Sequence, residues 1–188
     1  MIRYNHAIDI IHKVKNISKE NISSITSGLM PFGLSTSYRG RNQKSLKDSI
    51  TLYSSNSITY ISENEIKKGT DYINKYEVMV SKTGAEHAGE PGKDGKFRVI
   101  PSSMKVICPR EVCTHSYFLV GKFDNAHTAE NVYKYMKTKF VRFLILISMS
   151  GYVLSKNTMN FVPIQDFNDK SDIDWSKSIN TINTQLYK

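Results

Sequence analysis

Two polar segments of this sequence concentrate the side chains suited to chemistry on a polyanion. Arg39, Arg41, Asn42, Gln43 and Lys44 fall close together, and Lys82, Lys93, Lys96 and Arg98 lie in or beside a second, glycine-rich loop. These residue types answer two needs of nucleic-acid recognition. Lys and Arg meet phosphate oxygens and fix register, whereas Arg forks onto guanine and Asn or Gln onto adenine. Any one such run is also what a solvated face looks like. Their recurrence, with Lys134, Lys137 and Lys139 on a predicted helix, favours DNA as the partner.

Catalytic signatures are missing from the sequence. It has no phosphate-binding loop ending in Lys-Ser/Thr, no Gly-x-Gly-x-x-Gly after a strand and no Gly-x-Ser-x-Gly elbow. A metal nuclease needs clustered carboxylates beside a lysine. The nearest approach is Glu77 with Lys82 on one predicted strand, which no partner Asp precedes. His6, His12, His87, His115 and His127 are scattered and read as surface or satisfied core residues rather than general bases. Cys108 and Cys113 are the only cysteines, which excludes a disulfide framework or a four-cysteine zinc site. With His115 they match no common zinc spacing, so no metal is assigned and both read as reduced thiols.

The 188 residues suffice for one domain with a substantial core. Twenty-six Lys and Arg against 17 Asp and Glu leave a net charge of +9, which favours a polyanionic partner. The start of the chain lacks a hydrophobic signal stretch, and the longest apolar run, Phe143 to Ile147, is too short to span a bilayer. No membrane partner and a cytoplasmic location are therefore expected.

The elements that must carry these residues begin with a run from Ala126 to about Ser150. Val132, Met136, Phe140, Phe143 and Ile147 recur there at helical steps and predict one long amphipathic scaffold helix. Asp124 or Asn125 caps it, Glu130 suits its positive end, and Lys134, Lys137, Lys139 and Arg142 form its wet face. A strand at Ser116–Val120 precedes it, with a turn at Gly121–Asn125. Phe161–Phe167, with its apolar alternation around Pro163, reads as a strap packed on the helix rather than a DNA contact. A helix is predicted over Met1–Lys15, and a short one after Ser18 ends by Gly28. Strands are predicted at Ser49–Tyr53, Ser57–Ile61, Tyr76–Lys82, Phe97–Ile100 and Met104–Cys108, with a helical piece over Glu63–Tyr72. Thr83–Lys96 holds four of the ten glycines and reads as a long mobile loop. A last helix begins at Asp174-Trp175. Short strands flanked by helices, without regular crossovers, predict an α+β fold with a mainly antiparallel sheet.

Several blocks also look familiar in order. Val14 to Leu34, with Ser23-Ser24 and Pro31-Phe32-Gly33-Leu34, is followed by Thr114-His115-Ser116-Tyr117-Phe118-Leu119-Val120-Gly121-Lys122-Phe123. Ala129-Glu130-Asn131-Val132, then Met136 to Leu144, then Phe161-Val162-Pro163-Ile164-Gln165-Asp166-Phe167 complete the series. It resembles the C-terminal target recognition (specificity) domain of bacterial type II restriction–modification adenine-specific DNA methyltransferases, over nearly the whole chain. Arg3-Tyr4-Asn5 reads as a helix interior, so a shortened start is expected, and the resemblance implies clipping at the other end too, with residues 1–28 a helical opening segment, 29–113 the variable DNA-reading region and 114–188 the scaffold and strap. It implies double-stranded DNA as partner, and the catalytic methyltransferase domain of the parent chain as neighbour. S-adenosylmethionine belongs to that domain: the Asn-Pro-Pro-Tyr run and glycine-rich cofactor strand of the family are not in this sequence. No cofactor is expected in the fragment, and whether the parent also cleaves DNA stays open. Two alternatives remain: a small metal-dependent endonuclease using Glu77 and Lys82, and a basic protein–protein interaction domain.

Overall fold

The structure, a computed structural model, describes residues 7–44, 48–83, 93, 103–149, 151 and 153–186. Among these, helix α1 spans Ile8–Ile17, and strands β1 (Ser49–Tyr53) and β2 (Ile58–Ser62) form a hairpin. Strands β3 (Tyr76–Ser81), β4 (Met104–Ile107), β5 (Glu111–Cys113) and β6 (Tyr117–Phe123) follow. Helices α2 (Ala126–Met136), α3 (Lys139–Ser148) and α4 (Ile179–Gln185) complete the chain. The fold is α+β with mainly antiparallel pairing, as the run of short strands implied.

The strands make two three-stranded sheets, ordered β2-β1-β5 and β4-β3-β6. Pairings β1–β2, β3–β4 and β3–β6 are antiparallel, whereas β5 joins β1 in parallel, with Leu52 opposite Val112. The second sheet is the middle layer. Its Val78, Val80, Phe118 and Val120 pack under α2 and α3, and its Met79, Ile107 and Leu119 meet Ile50, Leu52 and Val112 of the first sheet. Covering on both faces is why β3 reads as a continuous Val-Met-Val run rather than an alternating one. Glu77 shares the strand parity of Met79, and it too is fully buried.

The helical run from Ala126 is not one helix. It breaks at Lys137-Thr138, where Thr138 Oγ1 donates to the Tyr135 carbonyl at 2.7 Å and accepts from the Val141 amide at 3.3 Å. The break resets the helical phase. Val132, Met136 and Ile147 are buried as the spacing implied, but Phe140 and Phe143 are only half-buried, and Val141, Leu144 and Ile145 take their place in the core. Asn125 supplies the α2 cap, accepting from the Thr128 amide at 2.8 Å. The predicted helix over Glu63–Tyr72 is two 3₁₀ turns, Glu63–Glu65 and Thr70–Tyr72, separated by Gly69 in the left-handed region. A third 3₁₀ turn, Ile22–Ile25, stands where a short helix was expected after Ser18. The last helix starts at Ile179, capped by Ser178, because Trp175 is buried against Tyr135 and Phe167 instead.

Strand β6 runs through Gly121, where a turn was expected. Gly121 has φ +78°, and a Cβ there would lie 2.0 Å from the Phe123 ring, so only glycine lets the strand continue past it. The strap packs on α2: Tyr135 Oη donates to the Pro163 carbonyl at 2.7 Å, and Asn131 Nδ2 to that of Phe167 at 2.9 Å. Residues from the opening segment are woven into this same region, with Asn21 bridging Pro163 and Thr26 bridging Val120. No helix of the described residues is long and apolar enough to cross a membrane. The predicted strand at Phe97–Ile100 lies outside the described residues, as does most of the Thr83–Lys96 loop.

Candidate nucleic-acid interface

The first basic segment is laid along the outer edge of β2. Arg41 and Tyr60 exchange both backbone hydrogen bonds, at 2.8 and 2.9 Å. Gly40 permits this approach, since a Cβ would meet the Tyr60 carbonyl oxygen at 2.5 Å. An irregular segment is thereby fixed to a rigid sheet, and its exposed side chains point away from a defined backbone. Arg41, Asn42, Gln43 and Lys44 line an open concavity of about 490 Å³. Asn42, Gln43 and Lys44 are exposed and, among the described residues, have no side-chain partner.

The two arginines are already engaged. Arg41 Nη2 pairs with Glu65 Oε1 at 2.7 Å, and Arg39 Nη1 donates to the carbonyls of Thr36 and Tyr38, both at 2.8 Å. Glu65 also accepts from the Ser62 amide at 2.6 Å and from the Tyr38 hydroxyl at 2.5 Å. The Ser62 amide bond, then the Tyr38 bond, hold the Glu65 carboxyl below its ordinary range, and the Glu65 bond raises the Tyr38 phenol. A base or phosphate reaching Arg41 must therefore compete with Glu65, which nothing in the sequence around Arg41 indicated.

The second basic cluster is dispersed. Lys93 is exposed at a turn, while Lys96 and Arg98 lie outside the described residues. Lys82 follows β3 and sits with its Nζ 2.7 Å from His115 Nε2. The two are tied by backbone as well: the Lys82 amide donates to the Ser116 carbonyl at 3.0 Å, and the His115 amide to that of Leu34 at 2.9 Å. Burial lowers the Lys82 ammonium below its ordinary pKa. Burial, then the charges of Lys82 and Lys68, lower His115.

The two ends of the sheets differ in electrostatics. At the end carrying Asp71, Lys75 and Arg110, cations are matched: Lys122 pairs with Asp71 at 2.5 Å, Arg110 with Glu63 at 3.3 Å, and Lys75 with Asp124. The opposite end is built from the hairpin turn at 54–57, the 114–116 connection and the end of β3, and holds Lys82 and His115. None of those segments contains an Asp or Glu. The basic face of the scaffold is partly structural, since Lys134 Nζ donates to the Trp175 carbonyl at 2.7 Å and Lys137 stacks over Tyr133.

Glu77 and Lys82 do not form a nuclease pair. Glu77 is fully buried between the sheets with both carboxyl oxygens unpartnered among the described residues, while Lys82 turns to His115. Burial pushes the Glu77 carboxyl up to about 9, so it is protonated and neutral at pH 7. Cys113 is fully buried, which pushes its thiol well up, whereas Cys108 is exposed. Among the described residues no three His, Cys, Asp or Glu side chains converge as a metal would need.

Reasoning from sequence missed His115, Lys68 and Glu65 as participants. The polar Thr114-His115-Ser116 trio between two apolar strands was the available signal for His115; the others carry none. Comparison of the chain with known protein families, characterised proteins and solved structures finds no match.

Proposed function

We propose that this chain is a sequence-reading DNA-binding module, the specificity part of a restriction–modification adenine-N6 methyltransferase, and that it is non-catalytic by itself. The observation that carries this reading is the exposed Arg41-Asn42-Gln43-Lys44 rim, whose backbone is pinned to the β2 edge at Arg41 while its side chains face solvent. Asn and Gln offer the paired donor and acceptor that adenine presents in the major groove, and Lys44 and the charge of +9 supply phosphate attraction. The resemblance in the scaffold and strap supports the same reading. It assigns the methyl donor and the transfer chemistry to a separate catalytic domain of the parent chain, which grips the other side of the duplex.

The test is selection of duplexes from a random pool at two salt concentrations, with and without magnesium, followed by sequencing of the retained DNA. An enriched motif without cleavage, lost in the N42A/Q43A/K44A variant, is the expected result. Binding that shows no sequence preference at either salt refutes the reading and favours a basic protein–protein module. Cuts that appear only with magnesium refute it in favour of a nuclease.

A further inference from the structure

Lys82 and His115 make an unusual contact: two groups that both favour positive charge, 2.7 Å apart, with no carboxylate between them. Both are half-buried, and Lys68, whose Nζ donates to the Leu29 carbonyl at 3.3 Å, adds a second cation to the field at His115. Among the described residues neither Lys82 nor His115 has an ion-pair partner. The basic side chains at the other end of the sheets do have such partners. An ammonium can only donate, so with Lys82 charged this contact requires the imidazole to accept at Nε2, and His115 cannot donate from that nitrogen while the contact holds.

We propose that Lys82 and His115, with Lys68 beside them, form a binding site for a phosphate oxyanion, and that the DNA backbone supplies it. A phosphate oxygen replaces the imidazole as acceptor for Lys82, and His115 then takes up a proton and donates to the same phosphate. Three features of the site suit this. Its groups are held by backbone bonds from the β5–β6 connection and the end of β3, so they need little ordering. The half-buried Ser116 hydroxyl, which accepts from the Thr114 hydroxyl at 3.3 Å and keeps its own proton to give, adds a neutral donor on the same connection. Burial first, and then the charges of Lys82 and Lys68, lower His115; the anion offsets the charge contribution, so binding and proton uptake are coupled. This site rests on the DNA-binding reading for the identity of its ligand but not for its chemistry. A free phosphate monoester carries the same oxygens.

The experiment follows the His115 imidazole by NMR across pH in the full chain. It is run alone, with inorganic phosphate, and with a short random-sequence duplex, beside duplex affinities at pH 5.5 and 8. The expected result is a midpoint below the ordinary 6.5 in the free protein and an upward shift of about one unit with duplex. That shift makes duplex affinity higher at pH 5.5 than at 8 by a factor of several, with about tenfold as the ceiling for one unit. In His115→Gln this pH dependence attributable to the site disappears, and in Lys82→Gln the logarithmic salt slope falls by about 0.9. If DNA binds but the His115 midpoint is unmoved by either ligand, the site is overturned and the DNA-binding reading stands. If DNA does not bind but inorganic phosphate moves the midpoint, the oxyanion site stands and its assignment to the DNA backbone falls. No movement with phosphate and no DNA binding overturns both. The NMR measurement uses the unaltered protein, so it decides the matter even if a variant fails to fold.

Discussion

Glu77→Gln should flatten the pH dependence of folding stability between pH 5 and 8. Glu77 lies on β3 with no exposed surface, and neither carboxyl oxygen has a partner among the described residues. Burial raises its pKa from 4.5 to about 9, Asp71 and Glu111 add repulsion, and Lys122 opposes them. The folded state therefore keeps a proton that the unfolded chain releases above pH 4.5. Stability from this group is fully present below that pH, declines as pH rises, and stops declining near 9. One pKa unit corresponds to about 1.4 kcal/mol, so the loss between pH 5 and 8 is on the order of 4 kcal/mol. That is a large part of the 5–15 kcal/mol typical of a domain. Gln keeps the shape and the hydrogen-bonding demand while removing the charge. Urea denaturation of both proteins at half-unit pH steps isolates the term, because every other titrating group cancels in the difference. The advantage of Glu77→Gln should grow by about 4 kcal/mol from pH 5 to 8. A constant difference refutes the reasoning, since it would mean that Glu77 finds solvent or a counter-ion in the folded state.

Two further predictions address the sheet and its rim. Gly121→Ala should cost about 3 kcal/mol in urea denaturation, because it puts a Cβ into the Phe123 ring at positive φ; Gly28→Ala, with nothing within 4 Å, should stay within about 0.5 kcal/mol. An equal effect at the two positions would show that β6 rearranges around residue 121. Glu65→Gln should release Arg41 and raise duplex affinity by up to about fivefold, in keeping with the modest worth of an exposed pair. The Tyr38 phenol should titrate lower once its carboxylate partner is neutral. Fluorescence anisotropy and ultraviolet titration read the two effects. A fall in affinity would mean that Glu65 positions Arg41 for DNA rather than competing for it.

Much of the architecture could be read locally. Ser49–Tyr53 and Tyr76–Ser81 are rich in β-branched or alternating apolar residues, and they form strands within a residue of the predicted bounds. The Asn125 cap and the strap over α2 were equally legible, because capping and apolar alternation are short-range properties. The break at Thr138 was not. A threonine followed by a continuing apolar pattern looks the same in a helix interior as at a new N-cap, and only the packing of Val141 and Leu144 chooses between them.

From the amino-acid sequence alone come the α+β class, the excess of positive charge and the polar segment Arg39–Lys44, since composition and periodicity determine these residue by residue. The tertiary structure alone decided three other matters. It brought three-residue β5 into parallel register with β1, 58 or more positions away. It sealed Glu77 between two sheets, so that a charged residue in strand alternation became a neutral buried acid. It joined Lys82 to His115 and Arg41 to Glu65, turning isolated polar residues into one cationic site and one ion pair. In each case the deciding energy is desolvation or a direct electrostatic contact between residues distant in the chain. Such terms depend on which surfaces the fold brings together, and no local pattern records them.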